Sequence, residues 1–204
     1  FSDLPAATGI GSSSAFTTGL INAMNKMYNL KLSKNRIFKL AIDIEQNCNK
    51  ENIGSQDQVI STVGGFKTIN FKKNKINILN LDKYKENLSK IQDNSILIYS
   101  GIQRESSTVT ADLVSKISKK KDIYSELLNL TTEAERMLKS REFNIKQFGE
   151  LLSYSWSLKK RTSDFITNDK INSLCNICLK NGAYGVKLLG AGYGGFILVM
   201  ANQR

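Results

Sequence analysis

An α+β fold built on antiparallel sheet is what this chain of 204 residues predicts, and three patterns carry the prediction. Long segments repeat apolar residues every three or four positions, as in Ile145, Phe148, Leu152 and Trp156, which is the spacing of a helix with one buried face. Short apolar runs, "FKTINFK", "KINILN" and "SILIYSG", have strand length and end at turn residues. The C-terminal stretch "GAYGVKLLGAGYGGFILVMA" reads strand, glycine-rich turn, strand, and so tight a connection joins antiparallel neighbours.

In chain order, helices are expected near residues 13–29 and 34–48, the first opening on a stripe of Phe16, Leu20, Ala23 and Met24. Strands follow near 66–72 and 75–80, separated by a Lys-Asn turn. Ser95–Gly101 reads as a buried strand, because four consecutive apolar residues run up to Ser100 and Gly101. From Ser107 to about Asn181 the pattern is helical, and Gly182 closes it. Val186–Leu189 and Phe196–Met200 complete the sheet. The change of pattern near residues 100–106 places a domain boundary between 1–103 and 104–204.

Hydrophobic residues make up 41% of the chain, enough for a real core. An excess of 29 Lys and Arg over 18 Asp and Glu gives +11 and points to acidic partners such as nucleotides, sugar phosphates, nucleic acid or an anionic surface. The densest basic runs, Lys119–Lys121 and Lys159–Arg161, are short, and no nucleic-acid-binding spacing accompanies them, so a nucleic-acid partner is not expected. Three cysteines cannot build a disulfide framework, which makes the cytoplasm the expected location. Cys175 and Cys178 stand beside Ile171, Leu174 and Ile177 at helical spacing and read as core packing rather than a zinc site. With no histidine in the chain, Ser-His-Asp and Cys-His chemistries are excluded. No apolar run approaches membrane-spanning length, and no membrane partner is expected.

Three stretches bear on chemistry. In "DLPAATGIGSSSAFTTGLINAM", Gly9, Gly11, Ser12, Ser13 and Ser14 remove bulk from the backbone where a helix begins. The free N–H groups and positive dipole end of that first turn favour an anion such as phosphate, although a serine-rich cap on a core helix has the same pattern. In "IEQNCNKENIGSQDQVISTVGGF", the carboxylates Glu45 and Asp57 are brought toward one loop region. If the opening loop holds a nucleotide triphosphate, Mg²⁺ needs hard oxygen ligands such as Glu45 and the Ser13 hydroxyl, and Asp57 can accept a proton. Otherwise Asp57 caps a helix and Glu45 is solvated. The third stretch, "LLGAGYGGF", either lets backbone approach a ligand closely or makes a tight turn. Neither G-x-x-x-x-G-K-[ST] nor G-x-G-x-x-G is present, so a nucleotide site here is of another type.

Together these stretches resemble the GHMP small-molecule kinases. Pro5, Gly9, Ile10, Gly11, Ser12, Ser13 and Ser14 match that family's phosphate loop P-x-x-x-G-L-G-S-S-[AS], Asp57 in "GSQDQ" matches its catalytic aspartate, and "KLLGAGYGGF" is similar to its third motif. The resemblance implies a GHMP fold, with a truncated ribosomal-protein-S5-like N-terminal lobe and a ferredoxin-like, helix-rich C-terminal lobe. It implies ATP bound at Gly9–Ser14, Mg²⁺ at Ser13 and Glu45, and Asp57 as the base. "ENIGSQDQ", "SGIQRESSTV", "WSLKKRTS" and "NGAYGVKLLGAGYGGF" most resemble the bacterial heptose 7-phosphate kinases. The implied reaction is transfer from ATP to the anomeric hydroxyl of D-glycero-D-manno-heptose 7-phosphate. Arg104, Lys159, Lys160, Lys187 and Gly192 are the candidate residues for the phosphorylated sugar. A kinase of this family for another sugar or alcohol, or an inactive nucleotide-binding fragment, remain the alternatives. Tyr193 interrupts the glycine turn, and the "GGGTD"-like first motif is absent. The chain is therefore expected to be the C-terminal part of a kinase, partnered by a missing N-terminal half or by a second copy of itself.

Overall fold

Helix α1 (Ser12–Met27) starts at the serines because Gly11, in left-handed backbone at φ 75°, ends the preceding loop. The computed structural model describes residues 8–73, 75–103 and 106–202. After α1 come α2 (Lys34–Asp43), which runs on into a π turn (Ile44–Cys48), and α3 (Gln56–Val63). Ser33 caps α2 by accepting from the Arg36 N–H. Asn25 ties the loop before α2, accepting from the Leu32 N–H at 2.8 Å and donating to the Leu32 carbonyl at 3.2 Å. β1 (Lys67–Lys72) and β2 (Lys75–Asn80) form an antiparallel hairpin in which Lys67 faces Asn80 and Lys72 faces Lys75. Its open end is closed by Lys67, 2.6 Å from the Asp82 carboxylate. These elements make one compact unit, Gly11–Lys83.

The core of this unit is small, built from Ile21, Ile37 and Ala41 with Leu32, Leu40 and Ile44 against them. α1 does not present the expected stripe to it. Ser14, Thr18 and Ile21 are buried, whereas Phe16, Leu20 and Met24 are exposed. The Thr18 hydroxyl donates to the Ser14 carbonyl at 2.8 Å, so a polar face is buried with its hydrogen bonds made. Apolar spacing alone does not choose between two such faces.

The second unit joins residues 8–10 to Tyr84 and beyond. It contains α4 (Lys85–Asp93), β3 (Ser95–Tyr99), α5 (Ser106–Lys116), a 3₁₀ turn (Ile117–Lys120), α6 (Lys121–Lys139) and α7 (Ile145–Lys160). A second 3₁₀ turn (Asp164–Ile166), α8 (Asp169–Lys180), β4 (Gly185–Leu188) and β5 (Phe196–Met200) complete it. The sheet order is β3–β5–β4, antiparallel throughout, with Ser95 and Gly185 both opposite Met200. Because β3 pairs inside this sheet, the compact units part between Lys83 and Tyr84, upstream of the expected boundary at 103/104. β3 is also an edge strand rather than a buried one, with Ile96 57% and Leu97 53% exposed. A run of four apolar residues is compatible with either place.

The core here contains Trp156, Ile166, Ile171, Cys175, Val186, Leu188, Ile197 and Val199. Cys175 belongs to it and Cys178 packs against it, as their helical spacing predicts. α7 meets β4 through two glycines: a Cβ on Gly149 would lie 2.7 Å from Tyr184 Cβ, and one on Gly185 would overlap the Gly149 carbonyl. Gly185→Ala is therefore expected to cost about 3 kcal/mol or more by forcing helix from strand. Gly19→Ala, in α1 with nothing within 4 Å of the new methyl, is expected to stabilise by ~0.5–1 kcal/mol. Urea unfolding checks the pair, and shifts of the same sign contradict the packing described.

Candidate active site

The turn at Gly190–Gly195 has been built around the backbone of residues 8 and 9. A Cβ on Gly190 would sit 2.6 Å from Gly9 Cα, and a Cβ on Gly195 would overlap the Thr8 carbonyl. The Phe196 N–H donates to that carbonyl at 3.3 Å, and the Gly195 N–H donates to Ile102 at 2.9 Å. Gly192, proposed from sequence as a substrate contact, is buried with its φ at 122°, and a Cβ there would lie 2.6 Å from the Ile166 carbonyl. Tyr193 holds φ at 66°, which side chains seldom adopt, and its N–H donates to Ile166 while its carbonyl accepts from Asn168. The first and third motifs of the sequence are thus in van der Waals contact through glycines. Ile10 lies half-buried at the end of this segment, and Pro5 falls outside the described residues.

From Gly11 onward the loop enters the first unit. No side chain caps α1 and no acidic residue stands in its first turn, so the N–H groups of Ser12, Ser13 and Ser14 remain available to an anion. Asp57, in the first turn of α3, packs its carboxyl against Gly11: a Cβ on that glycine would lie 3.3 Å from the Asp57 Cγ. Burial raises the Asp57 pKa above the ordinary carboxylate value, a hydrogen bond from Gln56 opposes this, and the Glu45 charge adds to the rise.

Glu45 is fully buried, not solvated, and sits in the π turn, an irregularity frequent at functional sites. Its Oε2 accepts from the Ser14 hydroxyl at 2.9 Å and from the Gln58 side-chain amide. Its Oε1 has no partner among the described residues. A buried carboxylate oxygen without a donor is costly unless a cation completes it, so this donor suits a hard ion such as Mg²⁺. The hydroxyl that meets Glu45 is that of Ser14. Ser13, the expected co-ligand, is exposed on the first turn. Ser14 and Gln58 had no role in the expected metal site, and the only sequence signal for Gln58 was its place beside Asp57.

The basic candidates separate. Lys159 donates to the Gly190 carbonyl, on the turn that contacts Gly9. Lys160 lies 5.8 Å from the Trp156 ring centroid and lines a cavity of about 500 Å³ beside α8. Neighbours on a helix point about 100° apart, so the two ammonium groups have different surroundings. Lys187 donates to the Ser155 hydroxyl at 2.9 Å, and its burial lowers its pKa. Arg104 lies outside the described residues.

An uncapped glycine-serine helix start with an adjoining carboxyl in a mixed fold has the parts that small-molecule phosphoryl transfer uses. The family models for the N-terminal domain and C-terminal domain of GHMP kinases match residues 1–65 and 137–204, and the chain belongs to the GHMP kinase family. It is similar to the D-glycero-alpha-D-manno-heptose 7-phosphate kinase of Campylobacter jejuni, with 32% identity over 99% of this chain and 60% of the relative. It is also similar to the mevalonate kinase of Methanocaldococcus jannaschii, with 27% identity over 100% of this chain and 61% of the relative. The crystal structure of the Methanococcus jannaschii mevalonate kinase superposes with a TM-score of 0.76 at 26% identity, over 99% of this chain and 59% of that one. The chain thus spans about 60% of the length of the curated relatives it matches. Among the described residues no helix is long and apolar enough to cross a membrane.

Lys187 supplies a pH test of this geometry. Its lowered pKa means that the unfolded chain holds the proton more tightly, so stability rises with pH between the folded-state pKa and the ordinary 10.5. Lys187→Met is expected to be more stable than wild type near neutrality, with a lead that shrinks as pH approaches about 10. Urea midpoints across that range check it, and a constant or growing lead contradicts the buried ammonium.

Proposed function

We propose that the protein is an ATP-dependent kinase that phosphorylates the anomeric hydroxyl of D-glycero-D-manno-heptose 7-phosphate, giving the 1,7-bisphosphate in the cytoplasm. The observation that carries this reading is 32% identity to a heptose 7-phosphate kinase along 99% of the chain. Supporting it is the carboxyl of Asp57 lodged against Gly11 at the bare start of α1. In this mechanism the backbone of Gly9–Ser14 receives the β- and γ-phosphates, with N–H groups and helix dipole offsetting their charge. Asp57 accepts the proton of the sugar hydroxyl as its oxygen bonds to the γ-phosphorus and the bond to the leaving ADP breaks. A raised pKa makes Asp57 a stronger base than an ordinary aspartate. Glu45 and the Ser13 hydroxyl would hold Mg²⁺, which supplies charge neutralisation at the phosphates. Lys159, against the glycine turn, is the proposed partner of the sugar's own phosphate.

The mevalonate kinase similarities favour a second reading, in which the same loop serves a non-phosphorylated alcohol. Radiolabelled ATP with heptose 7-phosphate, galactose and mevalonate as acceptors separates the two. The first reading expects heptose 7-phosphate to exceed mevalonate in kcat/KM by about 10⁴-fold, the scale of rejection set by unpaired polar contacts. A preference for mevalonate overturns it.

Asp57→Asn is expected to lower kcat by ~10²–10⁴-fold while nucleotide affinity is kept. The same substitution removes a desolvated charge near Glu45 and is expected to raise the melting temperature at neutral pH. Full turnover in this variant excludes Asp57 as the base.

A further inference from the structure

We propose that Gln58 is a positioning residue for Glu45, acting together with Ser14 to aim one carboxylate oxygen at the cation that accompanies the nucleotide. The inference rests on the kinase reading above and adds to it a residue outside the expected site.

The argument starts from an imbalance in hydrogen bonding. Glu45 and Gln58 are both fully buried. The two donors available to the carboxylate, the Ser14 hydroxyl and the Gln58 amide, converge on Oε2, leaving Oε1 without any among the described residues. Were the carboxylate only a structural acceptor, sharing its donors between its two oxygens would satisfy both. Placing both on one oxygen instead fixes the carboxylate plane and holds the second oxygen bare in a buried setting. Such an arrangement is stable when a cation takes the bare oxygen, and outer hydrogen bonds of this kind orient ligands and tune affinity.

The chain path supports the role. Ser14 belongs to the first turn of α1, where the phosphates are proposed to bind, and Gln58 directly follows the proposed base Asp57 on α3. Successive residues on a helix diverge by about 100°, so Asp57 can pack on Gly11 while Gln58 turns inward to Glu45. The π turn places Glu45 where it meets both. One buried amide thereby couples the registers of the phosphate loop, the cation ligand and the base.

The test uses the whole chain with Mn²⁺ as the probe, bound together with a non-hydrolysable ATP analogue and followed by electron paramagnetic resonance without turnover. Gln58→Met, similar in volume and lacking the donor, is expected to weaken Mn²⁺ binding in that complex by about 10–100-fold, with affinity for the nucleotide alone unchanged. Ser14→Ala, which removes the other donor to Oε2, is expected to shift Mn²⁺ affinity in the same direction, and Ser14→Thr to restore it. Circular dichroism verifies that each variant is folded, and should Gln58→Met not fold, the Ser14 pair decides. Wild-type Mn²⁺ affinity in folded Gln58→Met, or in Ser14→Ala, overturns the positioning role while leaving the kinase reading intact. Absence of any Mn²⁺–nucleotide binding in the wild-type chain overturns both.

Discussion

Backbone approaches backbone in this protein at places where no side chain fits, and the proposed site depends on that constraint. Gly190 and Gly9 are too close for a Cβ on Gly190, and Gly195 is equally closed by the Thr8 carbonyl. On the other side of the loop, Gly11 leaves only van der Waals room for the Asp57 carboxyl. Glycine is needed at Gly9, Gly11, Gly190 and Gly195 for a second reason, since all four hold positive φ. The glycines therefore do more than permit a turn. They hold the loop's shape while leaving its N–H groups uncovered, which is the condition for receiving phosphate oxygens.

Two carboxylates lie near that uncovered helix start, Asp57 against Gly11 and Glu45 hydrogen-bonded to Ser14. Burial raises the cost of charging Asp57, and the nearby Glu45 carboxylate adds to it. Among the described residues the buried Oε1 of Glu45 has no donor, which costs stability in the free protein. The arrangement becomes favourable when positive charge arrives, either from a cation at Glu45 or from a proton passed to Asp57. Both are events of phosphoryl transfer, so the cost in the free protein and the proposed chemistry have one cause.

Much of this was legible in the residues, and the exceptions follow a rule. The β1–β2 hairpin, the C-terminal strands and the long helices were legible because each rests on local periodicity and local turn residues. What depended on partners distant in sequence was not. Ile96 and Leu97 look like core residues, yet pairing with β5 alone leaves β3 at the sheet edge. Phe16 and Leu20 form the stronger apolar stripe of α1, yet hydrogen-bonded Ser14 and Thr18 face inward. At the site, the loop, Glu45 and Asp57 announce themselves by residue type. That Ser14 and Gln58 are the residues whose side chains meet Glu45 turns on a one-residue rotation around a helix that spacing does not reveal.

The same geometry decides how the net charge of +11 can be used. Read as a string, Lys159 and Lys160 are one basic patch. On α7 they diverge, Lys159 onto the glycine turn and Lys160 onto the face of Trp156. Lys187, nearest in sequence to the glycine motif, spends its ammonium on Ser155 inside the unit. Of these three described lysines, only Lys159 is shown donating to the turn that packs on Gly9. In the proposed reading, the phosphorylated acceptor therefore meets one placed charge, Lys159, and not the overall basicity of the chain.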